Sequence, residues 1–250
     1  MSSVFSFPVQ AYNVTESSQL DSLRKQYDDM ATLAKSLAHE IKNPLSVIRM
    51  NMELLHEDFE AISSPEARQA LIKIETVNRQ CERLQTMLND FLSFTKLTKL
   101  ELVPGSLNEQ VQQVLTFFEP LANQQSVTIR TYFDPDLPSI NLEPQTLHAA
   151  LLNLVKNALE AMPHGGELVA RTFITRVGVA LDLIDTGCGM SSNALLRMFE
   201  EFYTNKDGGT GLGLPTAKKI IEAHGAVINV QSEVNRGTQF TIEFPTPRRI

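Results

Sequence analysis

Residues 30–59 read MATLAKSLAHEIKNPLSVIRMNMELLHEDF and decide the first part of the fold. Apolar residues recur in this stretch at spacings of three and four, which is the period of an amphipathic α-helix. They are Met30, Ala34, Leu37, Ile41, Leu45, Ile48, Met52, Leu55 and Phe59. The pattern begins at about Leu20, so the sequence predicts one long helix with a continuous apolar stripe.

A second long helix is predicted after Ser64-Pro65, where an N-cap residue precedes proline at the first helical position. Its apolar positions again alternate between spacings of four and three. They are Ala70, Ile74, Val77, Cys81, Leu84, Leu88 and Phe91. Because one helical hairpin leaves much of both stripes uncovered, we predict that two chains pair into a four-helix bundle, forming a homodimer.

The remainder of the chain mixes helical stretches with β-branched runs. Helices are predicted at about 107–122, 143–162 and 213–224, and strands at 127–133, 166–174, 177–184, 226–232 and 238–244. The order lacks strict βαβ alternation, which indicates an α+β sandwich. We therefore predict three parts: a leader over residues 1–19, a helical hairpin over 20–100 and an α+β domain over 101–250.

The composition narrows the classes of function. The chain has 250 residues and a formal net charge of −7, which disfavours a nucleic-acid surface because such a surface needs a basic patch. Cys81 and Cys188 are the only cysteines and have no paired spacing, so a reducing, cytoplasmic location is expected. No apolar run is long enough to span a bilayer. A membrane segment is therefore not predicted.

His39 is the first candidate for chemistry. It lies about 200° around the helix from Leu37 and from Ile41, so it should face solvent. A neutral imidazole is a competent nucleophile when an acceptor holds its second nitrogen. Glu40 could be that acceptor, although adjacent helical residues do not naturally face each other. Asn43, one turn along, could orient a water molecule or a phosphoryl oxygen.

Three further segments suggest a ligand site. Asn153 and Asn157 stand one turn apart, and paired amides suit Mg²⁺ and phosphate oxygens, although ordinary half-buried asparagines fit equally well. Asp185 ends a predicted strand and could accept a hydrogen bond from an exocyclic amine, although a simple strand-to-helix turn also fits. Residues 208–214 read GGTGLGL before a helix expected to begin at Pro215, an arrangement that can hold phosphate. This loop matches neither a Walker nor a dinucleotide pattern.

Taken together and in this order, the segments resemble the sequence boxes of sensor histidine kinases, over residues of about 25–245. The matching stretches are HEIKNPL (39–45) for the H box, LLNLVKNALEA (151–161) for the N box, DTGCGM (185–190) for the first glycine box, MFEEFYTNK (198–206) for the F box, GGTGLGL (208–214) for the second glycine box and RGTQF (236–240) for the closing element. The resemblance implies a dimerisation and histidine-phosphotransfer hairpin. It also implies an ATP-binding domain of the gyrase, Hsp90, histidine kinase and MutL type.

The resemblance implies roles for individual residues. His39 would be the phosphoacceptor and Glu40 its general base. Asn43 would assist dephosphorylation of the partner, Asn157 would ligate Mg²⁺, and Asn153 would lie beside the phosphates of ATP. The acceptor of the phosphoryl group would be an aspartate of a separate response regulator, for which the protein could also be the phosphatase.

The same resemblance assigns the nucleotide pocket. Asp185 would bind the adenine amino group, Gly187 and Gly189 would shape the pocket, and Thr238 would line the adenine side. Contacts with the phosphates would come from Lys206 and the 208–214 loop, which includes Gly209, Thr210, Gly211, Leu212, Gly213 and Leu214. The gap before that loop is short, which resembles the nitrogen-regulation-type subgroup with its small ATP lid.

No sensor, PAS-like or receiver segment is recognisable. We therefore expect one of two cases. The chain is part of a longer kinase, or it is a kinase controlled through its leader or through a separate sensory partner. Because His39 and the pocket fall on different predicted domains, Pro104-Gly105 and the nearby helix end are expected to form a hinge. Pro44 should kink or loosen the first helix, since it cannot donate to the carbonyl of Glu40.

Three other functions fit part of the sequence. An ATP-hydrolysing clamp of the same superfamily would place a glutamate base four residues before the metal-binding asparagine. This chain has Asn153 there, and an amide cannot accept a proton from water, which disfavours the clamp. A nucleotide-sensing scaffold would bind ATP without forming a phosphoprotein. A serine kinase of the anti-sigma type would lack the long hairpin that bears His39 and Glu40.

Overall fold

The fold begins with two helices whose boundary follows the predicted cap. A computed structural model of the chain describes residues 36–62, 64–95, 100–206 and 209–246. Helix α1 covers residues 36–60, and α2 covers Pro65–Thr95. Ser64 Oγ accepts a hydrogen bond from Ala67 N at 3.1 Å, which confirms the predicted N-cap. The leader predicted over residues 1–19 lies outside the described residues.

The chain divides into two compact units, Met1–Thr98 and Lys99–Ile250. In the first unit, the buried side chains recur every seven residues, which is the spacing of a helical seam. They are Ala38 and Leu45 on α1, and Ala67, Ile74 and Cys81 on α2.

The apolar stripe predicted on α1 is covered only in part, as expected for a single hairpin. Leu45 is buried, but Leu37 is 58% exposed and Ile41 is 47% exposed. A hairpin buries only the face that meets the second helix, and the stripe on α1 is wider than that face. The remaining apolar residues therefore form a second, uncovered face.

The second unit is built on a five-stranded sheet in the order β2-β4-β5-β7-β6. Strand β2 is parallel to β4, and every other neighbouring pair is antiparallel. The strands are β2 (Val127–Tyr132), β4 (Gly166–Ile174), β5 (Gly178–Asp185), β6 (Val227–Glu233) and β7 (Gly237–Pro245). All five predicted strands are confirmed. Two short strands were not predicted: β1 (Val103–Gly105) and β3 (Ile140–Leu142), which pair with each other.

Four helices accompany this sheet. They are α3 (Leu107–Gln124), α4 (Pro144–Glu160), α5 (Ser192–Arg197) and α6 (Gly213–Ala223). The three predicted helices are confirmed, and the short α5 was missed. Helix α6 begins at Gly213 rather than at Pro215, because Thr216 N already donates to Leu212 O at 2.9 Å. Proline is tolerated within that first turn, where its missing N–H has no partner to lose.

The core of the second unit lies between α4 and one face of the sheet. The predicted stripe on α4 is buried at Leu147, Leu151, Leu154 and Ala158, whereas Ala161 is half-buried at the helix C-cap. Each fully buried leucine contributes about 1.5–3 kcal/mol. This packing fixes the angle at which α4 presents its remaining polar edge, where Asn153 and Asn157 stand.

Of the predicted hinge, the part at Pro104-Gly105 is wrong, whereas the part at the nearby helix end stays a prediction. Pro104 pairs with Asn141 and Gly105 with Ile140 in the β1–β3 ladder, so the dipeptide belongs to the second unit. The division between the units falls earlier, after Thr98. Within the described ranges, no helix is both long and apolar enough to cross a membrane.

Candidate functional site

His39 lies on an exposed face of α1, as its helical phase predicted. Glu40 and Asn43 are exposed as well, and the helix runs unbroken through Pro44. Among the described residues, none forms a hydrogen bond with the side chain of His39, Glu40 or Asn43. The imidazole is therefore exposed, and no hydrogen bond from a described residue fixes its orientation.

A polar edge of α4 carries the two predicted asparagines. Asn157 Nδ2 donates to Asn153 O at 2.9 Å, which turns the Oδ1 atom of Asn157 away from its own helix. Lys206 Nζ donates to this Oδ1 at 2.7 Å and to Glu160 Oε2 at 2.5 Å. The outward amide oxygen of Asn157 thus already holds a cationic group.

Glu160 was missed by the sequence analysis. It stands three residues after Asn157, so both side chains lie on the same helical face, and that spacing is the signal that could have found it. Its partner Lys206 is 46 residues away along the chain. No periodicity in the sequence connects residues so far apart.

The N-terminus of α6 faces the same polar edge. A Cβ atom added to Gly213 would lie 3.5 Å from Asn153 Oδ1 and 3.9 Å from Asn157 Nδ2. The cap residue Leu212 makes no side-chain hydrogen bond to the first turn. The helix therefore presents the positive end of its dipole beside the two amides, a suitable site for an anion.

The glycine loop before α6 is held against the segment that precedes it. Gly211 has φ +68°, and a Cβ there would lie 2.4 Å from the carbonyl carbon of Phe202. Phe202 N donates to Gly211 O at 3.1 Å, and Gly209 N donates to Lys206 O at 3.1 Å. Thr210 Oγ1 accepts from Leu212 N at 3.3 Å, and Leu214 is half-buried. Gly208 lies outside the described residues.

Asp185 ends β5 with only 4% of its surface exposed. Its Oδ1 atom accepts from Gly187 N at 2.9 Å and from Thr238 N at 3.2 Å. Burial raises the pKa of Asp185, against the opposing effect of these two hydrogen bonds and of the Lys206 charge. Its second oxygen, Oδ2, has no partner among the described residues. A carboxylate oxygen left in this way is suited to accept a hydrogen bond from a ligand.

Glycine is required at 187 and 189 by the protein's own packing. A Cβ at Gly187 would lie 2.7 Å from Ala161 Cβ, and one at Gly189 would lie 2.0 Å from Glu233 O. Gly189 also has φ +62°, a conformation that favours glycine. The two glycines therefore let the loop after β5 lie against α4 and the β6–β7 turn.

Thr238 is buried and lies directly opposite Asp185 on β7. Its Oγ1 atom is 3.0 Å from the Oγ of Ser232 on β6. Ser232 was not singled out from the sequence, since a serine in an alternating strand carries no signal of its own. The predicted pocket residues Asp185, Gly187, Gly189 and Thr238 lie together at one end of the sheet.

The fold and this site define a class of protein: a nucleotide-binding sandwich preceded by a helical hairpin with an exposed histidine. Comparison with known protein families agrees with this description of the fold and site. The His Kinase A (phospho-acceptor) domain matches residues 18–100, and the histidine kinase-, DNA gyrase B-, and HSP90-like ATPase domain matches residues 143–248. The chain therefore contains a His Kinase A phosphoacceptor domain followed by an ATPase domain of the histidine kinase, DNA gyrase B and HSP90 type.

Curated relatives are histidine kinases too. Sporulation kinase E of Bacillus subtilis (strain 168) is 32% identical over 93% of this chain and 31% of its own length. Sensor histidine kinase ZraS of Escherichia coli (strain K12) is 32% identical over 85% of this chain and 45% of its own length. The chain thus spans less than half the length of each of these relatives.

Solved structures show the same fold. Full-length ShkA in complex with AMPPNP has a TM-score of 0.69 and 26% identity, over 86% of this chain and 46% of that one. The catalytic domain of histidine kinase ThkA has a TM-score of 0.54 and 28% identity, over 59% of this chain and 97% of that one.

Proposed function

We propose that this chain is the ATP-dependent autokinase core of a two-component phosphorelay. It phosphorylates His39 and donates the phosphoryl group to an aspartate of a separate response regulator. One observation carries the proposal: a single chain combines an exposed helical histidine followed by a glutamate with a separate unit whose free groups suit ATP. A related structure, that of ShkA, contains the ATP analogue AMPPNP.

ATP would bind at the end of the sheet in the second unit. The unpartnered Oδ2 of Asp185 is placed to accept from the amino group of adenine, with Thr238 beside it. Gly187 and Gly189 allow the loop that forms the pocket wall. The phosphates would meet the open N-terminus of α6, the loop from Gly209 to Leu214, and Asn153.

Mg²⁺ would bind at Asn157. The hydrogen bond from Asn157 Nδ2 to Asn153 O leaves Oδ1 directed outward, and an amide oxygen is a suitable ligand for this ion. When bound, Mg²⁺ neutralises charge on the phosphoryl oxygens. Lys206 holds the same oxygen in the structure and would have to leave it. Its ion pair with Glu160 is about 40% exposed at each end, so releasing Lys206 towards the phosphates costs little.

The chemical step would be in-line transfer to the imidazole. His39 Nε2 attacks the γ-phosphorus, a nitrogen–phosphorus bond forms, and the bond to the leaving oxygen of ADP breaks. Glu40 would hold the proton on Nδ1 and stabilise the positive charge that develops on the ring. Catalysis then consists mainly of positioning and charge neutralisation. Asn43 would orient the water that dephosphorylates the response regulator.

A homodimer is supported by the uncovered face of the first unit. Exposed apolar residues recur there every seven residues, at Ile41, Ile48, Leu55 and Ile62 before α2 and at Val77 and Leu84 on α2. Apolar rows of this length on a helical hairpin indicate a covered interface, and a second copy gives the four-helix bundle. A response regulator and a separate sensory protein are the other proposed partners, in the cytoplasm.

The finer assignments follow from the same proposal. The short segment between the F box and the second glycine box supports the nitrogen-regulation-type subgroup. We assign dimerisation and phosphotransfer to residues 20–100 and nucleotide binding to 101–250, after a leader over 1–19.

The proposal is tested by incubating the protein with Mg²⁺ and γ-labelled ATP. Label that is stable in alkali and lost in acid, and that passes to a response regulator receiver domain, supports a phosphohistidine relay. ATP binding without covalent label would favour the nucleotide-sensing scaffold. Release of labelled inorganic phosphate without a labelled protein would favour the ATPase clamp.

A further inference from the structure

Three polar side chains form a row across the end of the sheet. Asp185 on β5 lies opposite Thr238 on β7, and Thr238 lies opposite Ser232 on β6. Residues directly opposite in antiparallel strands point to the same face, here the face that also carries the buried Leu183 and Phe240. Ser232 is therefore the outermost member of a row that begins at the proposed adenine-binding carboxylate.

The hydroxyl of Ser232 makes three contacts. It accepts a hydrogen bond from Met190 N at 2.9 Å, donates to Gly237 O at 3.0 Å, and lies 3.0 Å from Thr238 Oγ1. A hydroxyl has one proton, and a carbonyl oxygen can only accept. With the Ser232 proton assigned to Gly237 O, the proton between the two hydroxyls comes from Thr238.

The direction of the hydrogen bond from Thr238 to Ser232 determines whether Thr238 can donate to a ligand or accept from it. With its proton committed to Ser232, Thr238 Oγ1 has only lone pairs left, so it can act only as an acceptor. Thr238 N holds Oδ1 of Asp185 at 3.2 Å, and Oδ2 of the same carboxylate is also an acceptor. The row thus places two acceptors side by side.

We propose that Ser232 is a positioning residue that sets base specificity by fixing Thr238 Oγ1 as an acceptor beside Asp185. An exocyclic amino group carries two N–H donors and satisfies both acceptors, whereas a base with a carbonyl or hydrogen at that position cannot. The proposal rests on the ATP site of the proposed function and adds Ser232 to it. The hydrogen bond to Met190 N also ties the first glycine box to the same row.

A merely structural role makes a different prediction. If Ser232 only holds the β6–β7 turn, its loss weakens binding of every purine nucleotide by the same factor. If it fixes the polarity of Thr238, its loss weakens the preference for the amino group itself. The ratio of two affinities separates these roles, because it cancels general damage to the pocket.

The test compares dissociation constants for ATP and for purine riboside triphosphate, which has hydrogen in place of the amino group. We expect the unmodified protein to prefer ATP by about tenfold or more, which corresponds to one or two hydrogen bonds. Ser232→Ala should reduce this preference at least threefold, and Ser232→Thr, which keeps a hydroxyl, should retain most of it. Ser191→Ala is the matched control: it removes a hydroxyl that caps α5 and should leave the preference unchanged.

A double-variant cycle shows whether Ser232 acts through Thr238. Thr238→Val should lower the preference as Ser232→Ala does, and combining the two should lower it no further. If Ser232→Ala does not fold, Thr238→Val tests the inference instead. An unchanged preference for ATP over purine riboside triphosphate in Thr238→Val overturns it. It is also overturned if Ser232→Ala lowers both affinities equally.

The same measurements distinguish failure of the proposed function from failure of the role of Ser232. If the unmodified protein binds neither triphosphate, the ATP site itself is wrong and the inference falls with it. If it binds ATP and Ser232→Ala keeps the full preference, only the role of Ser232 is wrong.

Discussion

The candidate residues of the two units differ in burial and in hydrogen bonding. In the helical unit, His39, Glu40 and Asn43 are exposed and make no side-chain hydrogen bonds among the described residues, and large apolar side chains such as Ile48 are uncovered. In the sheet unit, Asp185 is buried and held by two backbone N–H groups, and Asn157 is oriented by its own helix. The proposed ATP site is therefore preorganised, whereas the proposed phosphoacceptor is exposed and is not held by any described residue.

The largest effect is expected on ATP affinity, from a change in the preorganised site of the sheet unit. Asp185→Asn keeps an oxygen for Gly187 N and Thr238 N but replaces the free oxygen with an amino group, which opposes the adenine amine. ATP affinity should fall by about 30- to 150-fold, equivalent to about 2–3 kcal/mol. Isothermal titration calorimetry measures this change. Asp136→Asn, at an exposed loop position, is the control, and an unchanged ATP affinity in Asp185→Asn would remove Asp185 from the site.

The next effect concerns the uncovered face of the helical unit. Ile48→Asp places a charge in the exposed apolar row and should weaken the dimer by at least about tenfold, because the charge would be buried against a second chain. Light scattering across a dilution series reports the mass. Ser46→Asp adds the same charge about 200° around α1 and should leave the dimer intact. Equal masses for the two variants would place the dimer interface elsewhere.

A smaller effect separates phosphate contacts from base contacts. Lys206→Met removes the ammonium that would move from Asn157 to the phosphates, so affinity for ATP should fall by about five- to twentyfold, as for a lost charge-assisted hydrogen bond. Affinity for adenosine, which has no phosphates, should not change. A parallel loss for both ligands would show that Lys206 supports the whole pocket rather than the phosphate end.

The smallest effect is on stability. Because burial raises the pKa of Asp185, the folded state keeps that proton to a higher pH than the unfolded chain does. The contribution of Asp185 to stability therefore falls as pH rises above its ordinary value of about 4, and it stays lower at neutral pH. The free energy of unfolding of Asp185→Asn relative to the unmodified protein should increase from pH 4 to pH 7. Urea denaturation at both pH values measures it, and a difference that decreases would contradict the assignment.

Sequence patterns predicted one unit better than the other. The five strands and α4 were predicted because a buried sheet face and a buried helical stripe leave clear periods at Leu147, Leu151 and Leu154. On α1, periodicity located the stripe, but the choice between Leu45, which is buried, and Ile41 and Ile48, which stay exposed, was not predicted. That choice depends on the tertiary partner rather than on the local period.

Other features left no local signal. Strands β1 and β3 have three residues each, too few for an alternating pattern, and their pairing overturned the hinge expected at Pro104-Gly105. Glu160 and Ser232 acquire their roles from contacts that only the fold creates, in the first case across 46 residues. The proposed pocket residues were predicted from the order of their motifs, whereas the hydrogen bonds among them required the structure.

The proposed function requires that the sheet unit binds ATP and that the helical unit accepts its phosphoryl group. The most direct test measures ATP binding and covalent label on the same preparations of His39→Gln and Asp185→Asn. We predict that His39→Gln binds ATP as the unmodified protein does but takes up no label, whereas Asp185→Asn loses both. Acid-labile label on His39→Gln, or loss of its ATP binding, would contradict the account.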